Sequence, residues 1–154
     1  MIKGDERLSQ SASQFYRLLG ENSPDLLEFV SIASPSTEFP HIELGSIALV
    51  IPAKEGFLFD KVYVETRKED ILIVMGIVPH RHVSWWSDES AEKQMKYAIQ
   101  FIKDVLNERI IFVKRKALFS RKESYEDIRV EQLERSKRVL AVYSWKGTYD
   151  KMGK

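Results

Sequence analysis

The chain has 154 residues, a formal net charge of +1 and no cysteine. That length fits one domain, residues 1–154, with a core large enough to fold without a covalent or metal staple. The missing thiols exclude disulfides, thiolate nucleophiles and cysteine-ligated metals, and they suit a cytoplasmic setting.

The charge is unevenly placed. From Ile110 onward there are twelve lysines and arginines against six acids, a net of +6, which leaves −5 on the first 109 residues. Such a split steers a charged partner only if folding keeps the halves apart; if they mix in one globule the surface averages out. No apolar h-region follows the charged opening Met1–Arg7, so no secretory signal is expected. The longest apolar run, Ile71 to Val78, is too short for a membrane helix.

Residues 8–20 have helical spacing, with Leu8, Ala12, Phe15, Leu18 and Leu19 near one face and Gly20 as a stop. Ser23 and Pro24 restart a helix that carries Leu26, Leu27, Phe29, Val30 and Ile32. Two prolines make 34–40 a loop. Residues 42–52 favour a short or edge strand, limited by Gly45 and Pro52. Val62–Arg67 and Asp70–Val78 are apolar and β-branched, and the polar link between them predicts an antiparallel hairpin. Pro79 cannot donate a ladder hydrogen bond, so a bulge or break is expected there, with the strand resuming after it.

A helix follows over about 87–107, capped by Ser87 or Asp88. Ala91, Met95, Ala98, Ile102, Val105 and Leu106 form its apolar face. Residues 109–117 begin the next strand, 120–126 are polar and exposed, and 126–134 form a short helix. Arg138–Trp145 is the last strand, with Val139, Ala141, Tyr143 and Trp145 on one face, and Lys151–Lys154 are expected to fray. The sum is an α+β domain: an antiparallel or mixed sheet of about four to six strands with helices packed mainly on one face.

His80 and His82 carry the most concentrated chemistry. On a strand they share a face, about 6.5 Å apart along the chain. Two imidazoles so placed hold one zinc if a third ligand joins them, and Glu65 or His41 are the candidates. Either histidine also suits general acid–base work, given a pocket and an orienting carboxylate. The competing reading is two partly exposed histidines beside aromatics. The sequence has no nucleophile elbow, Walker loop, dinucleotide fingerprint or His-Glu-x-x-His.

Trp85 and Trp86 point to opposite sides of a strand: either one enters the core and the other anchors a partner, or both pack under the following helix and its flanking loop. Lys114, Arg115 and Lys116, with Arg121 and Lys122, could contact phosphates while Phe112 and Phe119 stack on bases. Alternation splits that patch, and a lysine-guarded edge strand explains it as well. Trp145-Lys146-Gly147-Thr148-Tyr149-Asp150 is either a structural turn or the lining of a recognition surface.

Three segments together resemble a family of small, functionally uncharacterised bacterial proteins. They are Val64–Trp86 with its His-x-His step, the helix running into Glu108-Arg109-Ile110, and the terminal Ser144-Trp145-Lys146-Gly147-Thr148-Tyr149-Asp150. By analogy, the resemblance implies an immunity protein that neutralises a toxin. The expected function is therefore non-enzymatic protein binding, with His80, His82, Trp85, Trp86, Trp145, Tyr149 and Asp150 as one surface. The alternatives are a metal-dependent or histidine-based hydrolase using His80, His82 and Glu65, and a nucleic-acid-binding protein.

Overall fold

The helix α2, Ala91–Leu106, buries Met95, Ala98, Ile99, Phe101, Ile102 and Val105, the positions that a 3.6-residue period places on one side. It starts where the Ser90 side chain accepts the Lys93 amide, later than Ser87 or Asp88. Glu92 in the first turn and Lys103 in the last complement its dipole. In the computed structural model, residues 8–33, 42–53, 60–76, 78–84, 90–116 and 123–152 are described.

The helix α1, Gln10–Asn22, packs beside α2 and is capped by Ser9, whose hydroxyl accepts the Ala12 amide at 3.2 Å. It passes through Gly20, the expected stop, and ends two residues before Pro24, which cannot continue it. The expected second helix is only a 3₁₀ segment, Pro24–Phe29. Its β-branched continuation becomes β1, Val30–Ile32.

The strands form two antiparallel sheets. The first runs β1, β2 (Ile47–Pro52), β3 (Lys61–Thr66), β4 (Asp70–Met75) and β5 (Val78–Ser84), in chain order. The expected hairpin of β3 and β4 is present. The chain turns back before Pro79, which lies inside β5. It reverses at Gly76, whose φ of 50° suits glycine, so that Val78 faces Met75 and β5 runs back along β4. The expected irregularity at Pro79 is present: between the Ile73–Arg81 and Met75–Val78 pairs, Pro79 and His80 lie against Val74 alone.

The second sheet has the order β7 (Glu123–Arg129), β6 (Ile110–Lys116), β8 (Val139–Tyr143), β9 (Lys151–Met152). Here β7 occupies residues expected to be a polar loop and the start of a helix, and only Val130–Arg135 is helical, as a 3₁₀ segment. Cross-strand ion pairs, Lys114 to Glu123 at 2.5 Å and Arg115 to Glu126 at 2.9 Å, join the packing of Tyr125 and Ile128 in holding this polar strand. Lys151 and Met152 pair with Val142 and Ala141, where fraying was expected.

One core serves both sheets. The inner face of the first (Leu49, Val64, Ile71, Ile73 among others) meets α1 and α2, and Ile110, Phe112, Ala141 and Tyr143 of the second join them. Each fully buried side chain of this kind contributes about 1.5–3 kcal/mol. Behind the second sheet Ile111, Val113 and Val142 form a smaller cluster, covered by Val130, Leu133 and Tyr149. Val139 joins that cluster, opposite to the simple alternation, because the pairing with β6 shifts between Lys114 and Arg115. Among the described residues no helix is long and apolar enough to cross a membrane.

Candidate functional site

Folding β5 back on β4 decides where the histidines go. His82 lies opposite Leu72 and Arg81 opposite Ile73. Ile73 belongs to the core, so Arg81 and Val83 face inward while His80 and His82 face outward. The same register sets Asp70 diagonally beside His82, and the Asp70 Oδ2 lies 2.5 Å from the His82 Nδ1. The His80 ring stands edge-on to that of His82, with centroids 5.0 Å apart and planes at 80°. Both histidines are exposed; the Asp70 side chain is mostly covered. A carboxylate on Nδ1 holds the proton there in the neutral ring and leaves the Nε2 lone pair free. Asp70 is thus the orienting carboxylate that the histidine reading required. The signal for it was Gly76: read as a hairpin turn, it brings 70 and 82 together.

Arg81 anchors this strand from the other side. Its guanidinium sits 4.6 Å above the Phe101 ring of α2, lies 3.5 Å from the Tyr97 hydroxyl and pairs with Asp127 of β7. The strand that carries the histidines is therefore tied to α2 and to the second sheet. A cation over an aromatic face contributes about 0.5–2 kcal/mol.

Glu65 does not join the histidines. It faces Leu72, and Leu72 faces His82, so two strand spacings of about 4.8 Å separate their backbones. Its fully buried carboxylate is occupied by Arg67 Nε at 3.3 Å and lies 3.4 Å from the Tyr63 hydroxyl. His41, Trp85 and Trp86 lie outside the described residues.

Trp145, Tyr149 and Asp150 all lie between β8 and β9. Trp145 lies in the turn after β8 and packs on the main core, while Tyr149 packs on the small cluster behind the second sheet. Asp150 Oδ1 accepts the Ser144 amide at 2.6 Å and the Ser144 hydroxyl at 3.2 Å. Glu108, which follows α2 with a φ of 54°, accepts the amides of Lys146 at 2.7 Å and Thr148 at 3.2 Å. Two of the resemblance segments, the one ending Glu108-Arg109-Ile110 and the one from Ser144 to Asp150, are thus halves of one structural clasp. The carboxylates of Glu108 and Asp150 are held inside it.

Burial pushes the Glu108 carboxyl up, but hydrogen bonds from the Thr148 and Ser144 side chains and from the Lys146 and Thr148 amides outweigh it. The result is a pKa below the ordinary 4.5. A carboxyl whose pKa is lower folded than unfolded stabilises the fold above its unfolded value, and that stabilisation is lost as pH falls through the folded one. Wild type should therefore lose stability below about pH 4.5 more steeply than Glu108→Gln, read from denaturant midpoints across pH.

Two members of the basic run are committed to internal pairs. Lys114 and Arg115 meet Glu123 and Glu126, and Arg115 also donates to the Lys137 carbonyl at 3.0 Å. Arg81 with Asp127 and Arg129 with Asp104 join the acidic and basic parts of the chain directly, so folding mixes the sequence charge split. Arg121, Lys122 and Phe119 lie outside the described residues.

A groove of about 820 Å³ lies between the 3₁₀ segment and β8, lined by Val130, Leu133, Val139, Leu140 and Tyr149 among others. Its lining is mainly apolar, with Glu131 and Glu134 beside the hydrophobic side chains, and it does not include the histidines. No family model, curated protein or solved structure matches the chain.

Proposed function

We propose that this is a non-enzymatic protein-binding domain, of the toxin-neutralising kind that its segments resemble, which meets its partner through the outward face of β5. The supporting observation is the arrangement of His80, His82 and Asp70: a preorganised, hydrogen-bonding cluster on the last strand of a sheet, open to solvent. Terminal strands offer a free backbone edge together with alternating side chains, which is a common mode of recognition. The Arg81 anchor holds that edge still, which lowers the ordering cost of binding.

Co-expression with the product of the neighbouring gene tests this. The expected result is a stable complex that His80→Ala with His82→Ala weakens by at least tenfold. A partner that binds both forms equally, or no partner, counts against the reading.

A second reading rests on Asp70 alone. An imidazole oriented by a carboxylate is the arrangement of a general base. It predicts turnover of an activated ester or phosphodiester that disappears in both His82→Ala and Asp70→Ala. Equal background rates in all three proteins would remove it.

A further inference from the structure

We propose that His80 and His82 form a surface site for one divalent transition metal, zinc in the first instance, with Asp70 as the outer carboxylate that orients His82. The argument is geometric. Two imidazoles bound tetrahedrally to one zinc at about 2.0–2.1 Å put their ring centroids about 5 Å apart. The rings of His80 and His82 are 5.0 Å apart before any metal is added. Both rings are exposed and in edge contact, so they share one solvent-facing side.

The Asp70–His82 contact adds a second, independent argument. Metal-ligating histidines regularly give their other ring N–H to a carboxylate, which fixes the tautomer and raises ligand basicity. At His82 the carboxylate holds Nδ1, leaving Nε2 as the ligating atom. Among the described residues no group of three His, Asp or Glu side chains surrounds a common point. The described residues therefore supply two ligands, and water fills the remaining positions. An open coordination sphere of this kind takes a further ligand readily and holds its ion far less tightly than a closed structural site.

The site does not depend on the protein-binding reading, and the test contains no partner. The full chain, stripped with chelator, is titrated with zinc chloride alone by calorimetry at about pH 7.5, where neutral imidazole predominates. The expected result is one zinc per chain with micromolar affinity. His80→Ala and His82→Ala should each weaken binding at least tenfold, and the double variant should abolish it. Asp70→Asn should keep the stoichiometry and weaken binding roughly 10- to 100-fold. Lowering the pH should weaken binding, because the ligands must lose protons. Both histidines are exposed, so circular dichroism should show the variants folded. His41→Ala should bind as wild type does. Unchanged affinity in the double variant, loss only in His41→Ala, or no heat at 100-fold excess zinc would each overturn the proposal.

Discussion

Phe101→Ala is expected to destabilise the fold by about 3–5 kcal/mol, the range for removing a large aromatic side chain from a close-packed core. Phe101 is 3 % exposed and lies in the core shared by α1, α2 and both sheets. Its ring also supports the Arg81 guanidinium at 4.6 Å, so the substitution removes the platform under β5 as well as core volume. Phe101→Leu should recover most of the packing while losing the cation–aromatic contact, at a cost of about 1–2 kcal/mol. The two effects separate in a binding experiment. Phe101→Leu should weaken partner binding more than Leu18→Ala, a core change in α1, even though the latter costs more stability. Denaturant unfolding gives the stability and titration of the partner gives the binding.

Glu108→Ala is expected to cost about 2–4 kcal/mol, because two amides lose a charged acceptor in a partly buried turn. The amides of Lys146 and Thr148 both donate to Glu108 Oε1. Glu108→Gln keeps an oxygen there and should cost roughly half as much, since the charge assistance goes but the acceptor stays. The damage should spread from the turn into β8 and β9, because Asp150 and Ser144 close the same clasp. Hydrogen exchange should show faster amides at 141–150 in Glu108→Ala while those of β3 and β4 keep their protection. Uniform loss across both sheets would show instead that the clasp acts only through global stability.

Where the apolar pattern is strong, the sequence is enough to place an element. The spacing of Met95, Ala98, Ile102 and Val105 puts α2 within a few residues, and Val62 to Thr66 reads as a strand because β-branched side chains dominate it. The polar strand β7 escapes such a reading. Glu123-Ser124-Tyr125-Glu126-Asp127 has no apolar alternation, and its pairing with β6, with Lys114 and Arg115 opposite its acids, shows only in the fold.

The site follows the same logic. His80 and His82 are visible from their spacing, and so is their common face. Asp70 is hidden because its role depends on the hairpin register, and a strand read straight through Gly76 carries His82 away from it. The turn that carries Trp145, Tyr149 and Asp150 hides its partner for a related reason: Glu108 fastens it at the end of α2. Nothing local in Ser144 to Asp150 announces that Glu108, 38 residues earlier than Lys146, is the missing half.

The contact between Asp70 and His82 underlies the recognition face, the general-base alternative and the zinc site alike, and nitrogen-15 NMR of the histidine rings reads it directly. At about pH 9, where imidazole is neutral, the predicted result is a His82 ring protonated on Nδ1 with a bare Nε2, and a loss of that preference in Asp70→Ala. A His82 ring protonated on Nε2 in wild type, with the same spectrum in Asp70→Ala, would contradict the register on which the site is built.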